Sequence, residues 1–265
     1  MIRSIRSPLV FAHRGGREWA PENTLAAFSN CLELGVDGIE LNVQRCASGE
    51  LVVIHDEDLG RTTNGGGLVA DATLDEIKRL SAGLWFDRDF AGEKVPALTE
   101  VLALVAGRCA LNIEIKNAPI AYDDIEVELL DLLGGYLANY PQAEVIVSSF
   151  DHQVIGRLAR LLPAVGATAS VKLALLADAV FVDLASYGAV LQTTYYHPCF
   201  GSLRADVVDA AHQAGMKVNT WTLNNRVQWL SALKMGVDGI VTDDPEGLMI
   251  LLKRALPAGA ISPLA

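Results

Sequence analysis

The sequence predicts a (β/α)8 barrel with an inserted segment near the barrel mouth. Three observations point there. Short β-branched runs alternate with helical stretches, the pattern of parallel strands joined by right-handed crossovers. A helix–glycine–strand unit recurs as LGVDGIEL (34–41), AGMKVNTW (214–221) and MGVDGIVT (235–242). About eight core strands fit in the 265 residues, the usual size of one such barrel. The chain therefore reads as a single domain over residues 1–265, with an insertion at about 56–97.

The elements follow in order. LVFAH (9–13) is a strand ending in a glycine turn. ENTLAAFSNCLELG (22–35) is a helix, with Asn23 as N-cap and Gly35 as stop. GIELNVQ (38–44) and ELVVIH (50–55) form a hairpin through Ser48-Gly49. TLDEIKRL (73–80) and LTEVLALVAG (98–107) are helices, ALNIEIK (110–116) a strand and DIEVELLDLLGGYLANY (124–140) a helix. EVIVSSF (144–150) is a strand, HQVIGRLARLL (152–162) a helix, and VKLALLA (171–177) and AVLQTTYY (189–196) are strands. RADVVDAAHQAG (204–215) and RVQWLSALKMG (226–236) are helices between the strands AVLQTTYY, KVNTWTL (217–223) and GIVTDDP (239–245). Residues 56–97 are too long and polar for a simple connection, and long loops of this kind tend to be functional. Their Leu84, Trp85, Phe86 and Phe90 suit packing more than lining a pocket.

Composition narrows the function. A net charge of -11 argues against nonspecific binding to nucleic acid or an anionic membrane. The arginine-bearing start, MIRSIRSPLV, does not read as a signal peptide, and no apolar run reaches membrane-spanning length. The four cysteines are scattered without metal-site spacing and read as free, mostly buried thiols. A cytoplasmic protein without a membrane anchor is expected, and a homo-oligomer is permitted.

Charged and titratable groups gather where strands end. His13-Arg14 closes the first strand and His55 the hairpin, with Asp56 beside it. Glu40 and Asn42 lie two apart on one strand, as do Glu114 and Lys116 on another, so each pair shares a face. One such residue could point to solvent or form a structural ion pair. Four on neighbouring strands, with two histidines, fit a site, because charges are seldom buried without a partner. Two carboxylates and an amide oxygen suit a hard divalent cation, Mg²⁺ or Ca²⁺. Arg14 and Lys116 can meet an oxyanion. His13 and His55 can serve as acid and base. Together they describe phosphoryl transfer or phosphodiester hydrolysis, and no glycine-loop fingerprint for a nucleotide is present.

HRGG…PENTLAAF, GVDGIELNVQ…GELVVIHDEDLGRTTNG, NIEIK, VNTWTLNN and GVDGIVTDDPE, in that order over about residues 9 to 250, resemble the glycerophosphodiester phosphodiesterase family. The resemblance implies a TIM barrel with a segment inserted after the hairpin. It implies hydrolysis of glycerophosphodiesters to sn-glycerol 3-phosphate and an alcohol. His13 and His55 fall on the family's acid/base histidines, and Glu40, Asn42 and Glu114 on its metal ligands. Arg14 and Lys116 fall on its phosphate-binding cations, and Trp221 on an aromatic wall of the pocket or a packing position. The family usually carries Asp where this chain has Asn42. The first shell thus loses one negative charge, which leaves weaker metal binding, a changed metal, or a degenerate protein that only binds ligand. The flanking Cys46 and Ser48 also depart from the family pattern and are assigned no catalytic meaning. The competing readings are a phospholipase-D-like or cyclising phosphodiesterase on the same fold, and a noncatalytic glycerophosphodiester-binding protein.

Overall fold

A computed structural model describes residues 7–164, 166 and 170–256. The arginine-bearing residues 1–6 and both ends of the predicted 1–265 domain lie outside the described residues. The strands are β1 (Leu9–His13), β2 (Gly38–Arg45), β3 (Leu51–Val53), β4 (Ala110–Ile115), β5 (Val145–Ser149), β6 (Val171–Ala177), β7 (Tyr195–Pro198), β8 (Lys217–Thr220) and β9 (Gly239–Thr242). The order β1-β9-β8-β7-β6-β5-β4-β2 closes on itself because β1 also pairs with β2, all in parallel. β3 stays outside this ring, antiparallel on β2, as the hairpin reading expected. The fold is therefore the expected (β/α)8 TIM barrel.

Alternation along the strands sorts side chains into two layers. On β2, Ile39, Leu41 and Val43 face the helices and join the main core, while Glu40 and Asn42 take the other face. On β4, Leu111, Ile113 and Ile115 join the same core. Inside the barrel a small apolar cluster of Phe11, Ile146, Ala174, Tyr195 and Val241 packs across the ring. The barrel interior is thus filled below and polar above.

The helices are α1 (Leu25–Leu34), α2 (Leu74–Arg79), α3 (Leu98–Val105), α4 (Ile125–Asn139), α5 (His152–Leu161), α6 (Leu184–Val190), α7 (Ala205–Gln213), α8 (Arg226–Met235) and α9 (Pro245–Leu251). Three sequence expectations are corrected. The cap of α1 is Thr24, whose hydroxyl accepts from the Ala27 N–H, because Asn23 sits left-handed at φ 58° and turns its side chain elsewhere. Residues 189–196 are not one strand. Ala189 and Val190 end α6, capped at its start by Asp183, and β7 begins only at Tyr195, opposite Ala174. The segment after β9 forms α9, with Pro245 in its first turn and Asp244 accepting from the Gly247 N–H.

Residues 56–97 hold α2 and two short 3-10 turns. They pack a core of their own, in which Leu59, Val69, Ile77 and Val95 meet Val52 and Ile54 of the hairpin. Trp85, Phe86 and Phe90 stack edge to face on one another, with Leu84 and Trp85 exposed.

Candidate active site

Strand register delivers the charged groups to one place. Parallel pairing sets His13 opposite Glu40 and Asn42 opposite Glu114, and Ala12 opposite Thr242 brings Asp243 beside His13. After β1 the chain must turn at once, with Arg14, Gly15 and Gly16 at φ 51°, 87° and 84°. A Cβ at Gly15 would meet the Ala27 Cβ at 2.7 Å, and one at Gly16 would strike the Trp19 ring at 2.6 Å. Glycine is therefore required at both on steric and conformational grounds. The Asn23 N–H then donates to the Arg14 carbonyl (2.8 Å), which returns Glu22 and Asn23 to the site.

A cavity of about 90 Å³ opens at the carboxyl ends of the strands. His13, Arg14, Glu40, His55, Glu114 and Lys116 line it, with Trp221 and Phe150 forming an edge-to-face wall (centroids 5.6 Å apart). The Trp221 indole N–H donates to the His197 carbonyl (2.9 Å). Of the predicted residues only Asn42 does not line the cavity. It lies just behind, buried between Glu40 and Glu114.

The two histidines repeat one pattern. Nδ1 of His13 lies 2.6 Å from Asp243, and its Nε2 accepts from the Arg14 Nε–H (3.2 Å). Nδ1 of His55 lies 2.6 Å from Asp56, and its Nε2 lies 3.0 Å from the Lys116 ammonium. A carboxylate on Nδ1 fixes the ring and leaves Nε2 as acceptor. Burial, then Arg14 and Lys116, lower the His55 pKa to about 4, against the pull of Asp56. Burial works to raise Asp243, but its bond to His13 holds it below the usual carboxylate range.

Glu22 joins the two halves. Its side chain is 1% exposed, and it accepts from Arg14 (2.7 Å) and from Arg61 of the insertion (2.8 and 3.0 Å), with Arg17 at 3.0 Å. Burial would raise its carboxyl, but the bonds from Arg61 and Arg14 outweigh this and hold it at about 2. Arg61 also bonds Asp56. A continuous path thus runs His13–Arg14–Glu22–Arg61–Asp56–His55–Lys116. Lys116 lies 2.7 Å from Glu114, and Asn42 links Glu114 to Glu40, which accepts the Arg14 N–H (3.0 Å) and closes the path into a ring. Sequence reasoning missed Glu22, Arg61 and Asp243. The last had a signal, since it follows a barrel strand directly.

The expected cation can be tested on its donors. Glu40 Oε1 and Glu114 Oε2 both lie 2.9 Å from one atom, Asn42 Nδ2, so they converge as ligands of a shared cation would. That atom is an amide nitrogen, however, and Asn42 Oδ1 faces away to accept from Asn23 Nδ2 (3.0 Å). Among the described residues no three His, Cys, Asp or Glu side chains are grouped to hold a metal. The set fits Mg²⁺ or Ca²⁺ once the Asn42 amide turns its oxygen inward. Asn23 Oδ1, buried and without a hydrogen-bond partner among the described residues, does not tie Asn23 against following it.

The sequence profile of the Glycerophosphoryl diester phosphodiesterase family matches residues 13–247. A glycerophosphodiester phosphodiesterase of Caldanaerobacter subterraneus subsp. tengcongensis is 40% identical over 247 residues, covering 93% of this chain and 98% of that protein. One of Bacillus subtilis is 31% identical over 252 residues, covering 90% and 84%. An Oleispira antarctica phosphodiesterase, solved with its product sn-glycerol-3-phosphate, superposes with a TM-score of 0.83 at 27% identity, covering 93% of this chain and 97% of that one. The chain belongs to the glycerophosphoryl diester phosphodiesterase family.

Proposed function

We propose that this family member hydrolyses glycerophosphodiesters to sn-glycerol 3-phosphate and an alcohol, using His13 and His55 as acid and base. The observation that carries the reading is the pair of carboxylate–histidine–cation sets facing one cavity. Arg14 and Lys116 meet the anionic phosphoryl oxygens, and Trp221 and Phe150 wall the organic part. His55, faced by two cations and neutral above about pH 4, is the base that takes the proton of the free glycerol 2-hydroxyl. Its Nε2 is released by Lys116 as that ammonium turns to the phosphate. The hydroxyl oxygen bonds to phosphorus, and the phosphorus–oxygen bond to the alcohol breaks. His13, entering the reaction as the imidazolium with Nδ1 on Asp243 and with Arg14 turned from its ring to the phosphate, gives its Nε2 proton to the departing oxygen. Water opens the resulting cyclic phosphate with the two roles exchanged.

Glu40, Glu114 and the turned Oδ1 of Asn42 would hold a divalent cation, Mg²⁺ or Ca²⁺, which supplies further stabilisation of phosphoryl charge. The chain is read as one catalytic domain whose insertion contributes Asp56 and Arg61. A cytoplasmic location suits four cysteines without a disulfide. Among the described residues no helix is long and apolar enough to cross a membrane.

The test is release of sn-glycerol 3-phosphate from glycerophosphocholine by metal-stripped protein and by protein given back Mg²⁺ or Ca²⁺. Product formation supports the enzyme reading, and its dependence on the added ion supports the cation. Tight substrate binding with no product under every condition would favour a noncatalytic binding protein.

A further inference from the structure

We propose that the Asn42 amide, held outward by Asn23, takes the place of a cation between Glu40 and Glu114 in the metal-free protein. Cation entry then requires the amides of Asn42 and Asn23 to turn together. The second half rests on the cation site read above.

The argument is one of donors and acceptors. Carboxyl oxygens chiefly accept, and two carboxyl groups that face each other in a buried setting need a donor between them. Glu40 is 6% and Glu114 7% exposed, and the Asn42 –NH₂ gives one proton to each at 2.9 Å. Asp at this position would put a third acceptor where the two protons now lie. The Asn42 oxygen has a donor of its own in Asn23, whose backbone is fixed by the bond from its N–H to the Arg14 carbonyl. If Asn42 alone turned, its –NH₂ would face the –NH₂ of Asn23, donor against donor. When both turn, Asn42 donates to Asn23 Oδ1, the buried oxygen that now has no partner among the described residues, and the Asn42 oxygen joins the carboxylates. The pair therefore has two self-consistent settings. One braces two carboxylates without metal, and the other makes three oxygen ligands. A cation must break two hydrogen bonds to enter, so affinity falls while the metal-free site holds together.

Three measurements on the full chain test this: thermal unfolding with and without Mg²⁺, Mg²⁺ binding by calorimetry, and side-chain amide NMR. Wild type should melt at nearly the same temperature with chelator as with low millimolar Mg²⁺. Asn42→Asp should melt roughly 5–10 °C lower in chelator and recover with Mg²⁺. It should also bind Mg²⁺ about ten- to a hundredfold more tightly. Should Asn42→Asp fail to fold, Asn23→Asp serves. An acceptor-only partner forces Asn42 to offer its nitrogen and points the Asn42 oxygen at the carboxylates, so Mg²⁺ should again bind more tightly. In wild type the Asn23 and Asn42 amide signals should shift together at one Mg²⁺ concentration. Metal-free Asn42→Asp as stable as wild type would overturn the brace. Unmoved Asn42 signals at saturating Mg²⁺ would overturn the paired turn. Mg²⁺ binding to neither protein, with Asn42→Asp still weakened in chelator, would overturn the cation reading and leave the brace standing.

Discussion

His13 and His55 sit in sets of the same composition, and their surroundings differ. The His13 set is built from two barrel strands in register, with Asp243 arriving from the far end of the chain. A second carboxylate, Glu40, lies 3.9 Å from its Nε2. The His55 set stands where the hairpin passes into the insertion. Arg14 and Lys116 act on its ring, and its own carboxylate, Asp56, is shared with Arg61. Similar local motifs thus meet different neighbours, a second carboxylate near the His13 ring and two cations acting on the His55 ring. The proposed division of roles, His13 as acid and His55 as base, rests on this difference.

The largest expected effect comes from deleting either ring. His13→Ala and His55→Ala should each lower kcat by about two to four orders of magnitude. The sharper measurement uses a glycerophosphodiester with a nitrophenolate leaving group, which departs without a proton. His13→Ala should regain most of its loss on that substrate, and His55→Ala should not. The reverse pattern would exchange the two roles.

Next comes the link between the sets. Glu22→Gln leaves Arg14 and Arg61 without their shared carboxylate, in a place where the side chain is 1% exposed. Breaking a buried ion network in this way should cost about 3 kcal/mol in denaturant unfolding. It should also lower kcat/KM, because Arg14 and Asp56 are held through it. Unchanged stability would mean that Glu22 only decorates the ring.

A further effect concerns a third histidine that lines the cavity. His197, 1% exposed within the barrel, is held by burial at about pKa 3, and its Nε2 lies 3.2 Å from Asn219 Nδ2. Both His55 and His197 thus bind protons less readily folded than unfolded. The unfolded chain takes up protons first as pH falls through about 6.5, so stability is lost on acidification. The loss runs from about 6.5 to about 4 for His55 and on to about 3 for His197. His197→Gln should reduce the slope of unfolding free energy with pH by about 1.4 kcal/mol per unit in that window. An unchanged slope would place its proton elsewhere.

The smallest effect is expected in the outer part of the insertion. Trp85 is 40% exposed, packs on Phe86 and does not line the cavity. Trp85→Ser should move stability by at most about 0.5 kcal/mol and leave substrate preference unchanged. A changed preference would show that the segment reaches the substrate.

Much of this was legible in the residues. The spacing of Glu40 with Asn42 and of Glu114 with Lys116 marks one face of each strand, because side chains alternate whatever the strand pairs with. His13 and His55 announce themselves as polar groups closing apolar runs. Gly15 and Gly16 announce a turn too tight for a Cβ. The end of α6 and the start of β7 were less legible, since Ala189, Val190 and Leu191 suit a strand as well as a helix and only the pairing of Tyr195 with Ala174 decides.

By itself the sequence determined the barrel and the gathering of charged groups at strand ends, which follow from local periodicity and residue type, while the departure at Asn42 shows only against the family it resembles. Only the tertiary structure decided which carboxylate orients which histidine, since His13 and Asp243 are 230 residues apart and meet through barrel closure alone. It alone also decided the placing of Glu22 between two arginines and the direction of the Asn42 amide. An amide has a donor end and an acceptor end, and which end faces the carboxylates depends on Asn23, a neighbour that the backbone turn after β1 carries into contact.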